Sequence, residues 1–86
     1  MLITTTKKFD KRLKKQPIKI QKEFVKRIKI FFNDPHNDFL NTHKLSGSLK
    51  DLWSFNISGD VRVVFDRSQE NVIILVDIGS HSELYS

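Results

Sequence analysis

Cysteine is missing altogether from this chain. No disulfide can staple it, and no cysteine-based zinc site can form. The lack fits a reducing compartment. Glycine occurs only three times and proline twice. There is no glycine-rich phosphate loop, no Ser-His-Asp signature, no internal repeat and no low-complexity tract. No linker is long enough to divide domains, so residues 1–86 read as one domain. The longest apolar run, Val72 to Val76, is far too short to span a bilayer. The opening Met1-Leu2-Ile3-Thr4 turns basic at once and lacks the apolar core of a signal peptide. These absences predict a soluble cytoplasmic protein with no membrane partner.

Hydrophobic residues make up 38% of the 86, seven of them Phe. That is enough apolar material for one modest core and argues against wholesale disorder. The charge is uneven. Residues 7–29 carry eleven Lys or Arg against Asp10 and Glu23, a balance of +9, while the remainder balances to −4. Such asymmetry points to a polyanionic partner for the first part, or else to a solvated helical face.

The pattern predicts an α+β fold. Residues 2–5 suit a short strand, and Thr6 suits an N-cap. Lys7 to Lys15 then reads as a helix, with Phe9 and Leu13 on one side. Gln16-Pro17 interrupts it, and Pro17 fits the first turn of a second helix reaching Phe32. Ile20, Phe24, Ile28 and Phe31 form that helix's buried stripe, widened by Val25 and Phe32. Lys19, Lys22, Lys26 and Lys29 make a ridge on the opposite side. Residues 33–50 read as a long loop, a length that is usually functional or mobile. Trp53, Phe55 and Ile57 alternate with polar residues, as do Val61, Val63 and Phe65 with Arg62. Placing Phe55 opposite Val63 implies a three-residue loop at Ser58-Gly59-Asp60 and sets Asn56 opposite Arg62. Val72 to Ile78 is apolar on both faces and predicts a central strand. The expected architecture is two N-terminal helices on one face of a small antiparallel sheet of about four strands.

Several residues stand out chemically. His81 follows the last strand after Gly79, in polar company. Imidazole is the side chain that ordinarily exchanges protons near neutral pH, so a loop His there suits general acid–base work, unless it is a surface His without a role. Arg62 is the one basic residue in the sheet strands. Its fork suits a phosphate, the plainer alternative being an ion pair with Asp66 or Asp77. His43 lies in the long loop, and Tyr85 is four residues past His81, where an exposed ring can stack on a nucleobase or tuck the tail onto the core. His36 reads as loop surface and Trp53 as core. Three His and scattered acids give no metal-ligand spacing, so neither a dedicated metal nor another cofactor is expected. Two imidazoles and a guanidinium suffice to cleave RNA. A base takes the 2′-OH proton, that oxygen attacks phosphorus, a cation steadies the phosphorane, and an acid protonates the leaving 5′-oxygen.

The strings His43-Lys44-Leu45-Ser46-Gly47, Leu52-Trp53-Ser54-Phe55-Asn56-Ile57, Asp60-Val61-Arg62-Val63-Val64-Phe65 and Ile78-Gly79-Ser80-His81-Ser82-Glu83-Leu84-Tyr85 together resemble the RelE/ParE superfamily of bacterial type II toxin–antitoxin modules, and within it the YafQ-type toxins. The resemblance implies a metal-independent endoribonuclease that cuts mRNA in the ribosomal A site, is held inactive by a cognate antitoxin and meets DNA only through the antitoxin complex. It implies catalytic roles for His81, His43 and Arg62, with Tyr85 as the aromatic neighbour and Asp60 as the acid of the hairpin. Lys8, Lys11, Arg12, Lys15, Lys19, Lys22, Lys26 and Lys29 would then face mRNA and ribosomal RNA through phosphate contacts. One position departs from the pattern: Asn56 stands where YafQ-type members commonly place a further His. Asn relays no proton. The departure either moves the load onto His43, His81 and Arg62 or leaves a slower or inactive enzyme. Two alternatives remain at this level, a ParE-like toxin that poisons gyrase without cutting RNA, and a module that only binds antitoxin.

Overall fold

The computed structural model describes residues 1–49 and 51–85. Its elements are β1 (Leu2–Thr5), α1 (Lys7–Lys15), α2 (Ile18–Asn33), β2 (His43–Lys44), β3 (Trp53–Ser58), β4 (Val61–Asp66), β5 (Val72–Gly79) and α3 (His81–Tyr85). Lys50 and Ser86, the ends of the predicted loop and tail, lie outside the described residues. Short 3₁₀ turns occupy Asp38–Leu40 and Gly47–Leu49.

Thr6 caps α1, its hydroxyl accepting the Phe9 N–H at 3.1 Å while donating to the Val76 carbonyl at 3.0 Å. One side chain thus starts the helix and anchors it to the sheet. Phe9 is buried and meets Phe24 of α2 at 5.5 Å between ring centres. Phe31 is fully buried, stacked on Phe55 at 4.7 Å and edge-on to Phe65 at 5.0 Å. This aromatic cluster fastens α2 to β3 and β4, each ring pair adding about 0.5–1.5 kcal/mol beyond its burial. Val25 and Phe32 do not widen the buried stripe. They stay 49% and 51% exposed. A helix resting on a sheet buries a band about 100° wide, and both residues fall beyond it.

The sheet has five strands rather than four, in the order β1-β5-β4-β3-β2. It is also mixed. β1 runs parallel to β5, with Ile3 opposite Ile73 and Thr5 opposite Leu75. The reason is topological: the chain crosses back through the helices and the hairpin before β5 is laid beside β1. β5 lies between two neighbours, as its apolar run requires. The strand missed in the sequence is β2, two residues long, pairing His43 with Ser54 and Lys44 with Trp53. Two residues are too few to show a period.

The β3–β4 hairpin keeps Phe55 opposite Val63 and Asn56 opposite Arg62. Its connection is shorter than predicted. Ser58 pairs with Val61, so Gly59-Asp60 forms a two-residue turn and Ile57 becomes a bulge. Gly59 takes a φ of +52°, which a primed hairpin turn asks of its first residue. Ile57, two residues past Phe55, faces the same way, and both are fully buried in the core.

Candidate active site

Register places the site before any side chain is considered. β4 pairs Arg62 with Asn56 on one side and with Gly79 on the other. The next row holds His43, Ser54, Val64 and Asp77. Since alternate residues of a strand face alternate ways, Phe55, Val63 and Ile78 fill the helix-side core, and their neighbours form the floor of the other face.

Arg62 is half-buried in that floor, and its Nε is enclosed without a hydrogen-bond partner among the described residues. Neither ion pair considered for it forms among the described residues. Asp77 is held instead by Lys8 at 3.4 Å and Arg12 at 3.7 Å. Asp66 accepts the Ser68 N–H at 2.7 Å, a bond that lowers its pKa below the usual carboxylate value. An enclosed guanidinium N–H without an acceptor is costly. Ser54, diagonal to Arg62 in the ladder, likewise has a buried hydroxyl without a partner.

His43 reaches the site from β2, just after Asn41, whose φ of +47° turns the chain. Its Nδ1 lies 2.8 Å from the Asn41 carbonyl. A carbonyl only accepts, so Nδ1 carries the proton and the neutral ring keeps its lone pair on Nε2. His81 and Tyr85 come from α3, four residues apart on one helical face, with ring centres 4.5 Å apart and planes at 53°.

These residues share one cleft of about 290 Å³, lined by His43, Lys44, Leu45, Ser46, Arg62, His81 and Tyr85. Four of the five residues singled out as catalytic from the sequence thus meet. Asp60 does not line the cleft. It stands behind it, with Oδ2 accepting the backbone N–H of His81 at 3.2 Å. Lys44, Leu45 and Ser46 line the cleft as well, and only their adjacency to His43 hinted at it. The cleft can place two imidazoles and a guanidinium around a single phosphodiester, beside a phenol ring suited to a base.

The cations divide. Lys11, Lys15, Lys19, Lys22, Lys26 and Lys29 are exposed, whereas Lys8 and Arg12 are partly engaged by Asp77. A depression lined by Arg12, Lys15, Gln16, Pro17 and Glu83 brings the end of α1 against α3. The basic helix therefore adjoins the element that carries His81. Among the described residues, no helix is long and apolar enough to cross a membrane.

Comparison with known proteins agrees with this fold. The model of a family described as bacterial toxin of type II toxin–antitoxin system, YafQ, matches residues 1–86. A metal-bound toxin from Helicobacter pylori is 34% identical, with 99% of each chain covered and a TM-score of 0.71. YafQ from E. coli superposes with a TM-score of 0.83 at 15% identity, covering 98% of this chain and 97% of that one. A chain of the archaeal RelE–RelB complex from Pyrococcus horikoshii gives 0.72 at 22% identity, with 92% of each chain covered. No curated protein matches by sequence.

Proposed function

This chain belongs to the YafQ family of bacterial toxins of type II toxin–antitoxin systems, and we propose that it is a cytoplasmic endoribonuclease that cleaves mRNA on the ribosome without a metal. The observation that carries the reading is the shared cleft of His43, Arg62, His81 and Tyr85, with the Arg62 Nε enclosed and unpartnered among the described residues. A guanidinium held that way seeks an anion, and a phosphodiester is the anion that two flanking imidazoles can process.

In this mechanism His43 is the base. Its Nε2 lone pair takes the 2′-OH proton while the Nδ1–H bond to Asn41 holds the ring still. The 2′-oxygen attacks phosphorus, and Arg62 steadies the charge on the non-bridging oxygens. His81, on the other wall, protonates the departing 5′-oxygen, leaving a 2′,3′-cyclic phosphate. Tyr85 stacks on a base beside the scissile bond. Asp60 positions His81 through its backbone N–H. Asn56, in the Arg62 row, takes no part in proton transfer. The exposed Lys11, Lys15, Lys19, Lys22, Lys26 and Lys29 hold ribosomal RNA by its phosphates, with Lys8 and Arg12 partly spent on Asp77. A cognate antitoxin, as in the archaeal RelE–RelB complex, restrains the toxin.

Mapping mRNA 5′ ends after induction tests the proposal. Wild-type protein should produce discrete cuts within translated messages. His81→Ala should lower cleavage at least about tenfold, because an acid or base group contributes roughly 10²–10⁴-fold. Unaltered cleavage removes His81 from the mechanism, and intact mRNA with broken DNA replaces the nuclease by a gyrase poison.

A further inference from the structure

α3 has only five residues, and none of them is buried. A helix so short is not stable by itself, and its apolar hold is slight, since only Leu84 and Tyr85 are as much as half-buried. What holds it is a set of hydrogen bonds at its start. Glu83 Oε1 accepts the Ser80 N–H at 2.8 Å, and Ser80 Oγ accepts the Glu83 N–H at 3.3 Å. That reciprocal pair is a capping box. Of the two N–H groups between them in the chain, that of His81 goes to Asp60. Glu83 also lies flat on Gly79: a Cβ at position 79 would stand 3.1 Å from both its Cβ and its Oε1. Gly79 is in turn the strand partner of Arg62.

We propose that Glu83 is a positioning residue of the site, whose carboxylate locks the first turn of α3 and thereby aims His81 and Tyr85 into the cleft opposite Arg62. The proposal rests on the nuclease reading for its effect on rate, but its structural content does not. Glu83 faces away from the cleft, toward Arg12 and Gln16 of the α1 end, so it meets no reacting atom. Its action passes through the angle of a helix that carries an imidazole and a phenol. The Ser-x-x-Glu spacing was present in the sequence as a signal for it.

The experiment compares wild type, Glu83→Ala, Glu83→Gln and Ser80→Ala by two readouts. The first is the nuclear Overhauser effect between the His81 and Tyr85 rings in the free protein, which needs no substrate. The second is the rate of mRNA cleavage on ribosomes at saturating substrate. Glu83→Ala should abolish the ring-to-ring effect and slow cleavage roughly tenfold to a hundredfold, the scale of a misplaced catalytic group, with KM little altered. Ser80→Ala should do the same to a lesser degree. Glu83→Gln keeps an acceptor for the Ser80 N–H and should recover both readouts. A wild-type ring-to-ring effect in Glu83→Ala overturns the proposal, as does unchanged cleavage, or a loss that Glu83→Gln fails to recover. If the wild type cuts no RNA, the nuclease reading falls and the ring-to-ring effect alone decides the role of Glu83.

Discussion

Arg62 enters the cleft from the middle strand of five, whereas His81 and Tyr85 enter it from a five-residue helix without a buried side chain. The first wall is fixed by ladder pairs on both sides and by buried Val63, Val64 and Phe65 around it. The second is fixed chiefly by the Ser80 and His81 N–H groups donating to the carboxylates of Glu83 and Asp60. Burial and register locate a group without adjustment. A handful of exposed hydrogen bonds, each worth about 0.5–1.5 kcal/mol net, leaves a wall able to move as substrate arrives. In the proposed mechanism the site thus joins a rigid cation to a more loosely held acid.

The sharpest break in that comparison is Arg62→Met. Removing the cation should cost about 10²–10³-fold in cleavage, as loss of a charge-stabilising donor does. The thermal midpoint should hold or rise, since an enclosed N–H without an acceptor disappears. Single-turnover rates and a melting curve on the same sample decide it, and a clear fall in midpoint would show that Arg62 serves the fold. On the movable side, Asp60→Ala should lower cleavage by roughly tenfold or more by freeing His81. Asp60→Asn, which keeps an oxygen acceptor, should stay within a few-fold. An equal loss in both would mean that the Asp60 charge, and not its hydrogen bond, matters. Away from both walls, Lys22→Ala with Lys26→Ala should weaken RNA binding a few-fold. The slope of log affinity against log salt should fall by about 0.7 for each single-strand phosphate that the protein no longer neutralises. An unchanged slope would assign those lysines to solvent. The mildest test is acid. The Ser80 N–H bond, aided by Arg12 and opposed by desolvation, holds the Glu83 pKa below the ordinary carboxylate range. Its contribution is complete above the unfolded value of about 4.3 and fades as pH falls through the lowered folded value. Lowering pH from 6 to about 3 should shift the Ser80 amide resonance and loosen α3 while the sheet amides hold. Simultaneous loss of both would deny α3 its separate, weaker hold.

Much of this was legible in the residue order. Helical period located α1 and α2 to within a residue, and the Thr6 cap is where the side-chain pattern placed it. The facing of Phe55 with Val63 and of Asn56 with Arg62 followed from matching apolar faces across the hairpin. His43 and His81 stood out by residue type and setting. Less was legible where interactions span the chain. Val25 and Phe32 look like core by spacing, yet both fall beyond the band of α2 that meets the sheet and stay half-exposed. The parallel pairing of Leu2 with Val72 joins residues 70 positions apart, and no local period encodes it.

Local chemistry therefore determined the elements, the charge asymmetry and the list of reactive groups, because caps, periods and side-chain types act within a few residues. Only the tertiary structure decided that Lys8 and Arg12 engage Asp77, that the Arg62 Nε finds no partner among the described residues, and that His43 shares a cleft with His81. Those outcomes depend on strand order and on which long-range partners reach each charge first, and both are settled only when the whole sheet closes on its helices.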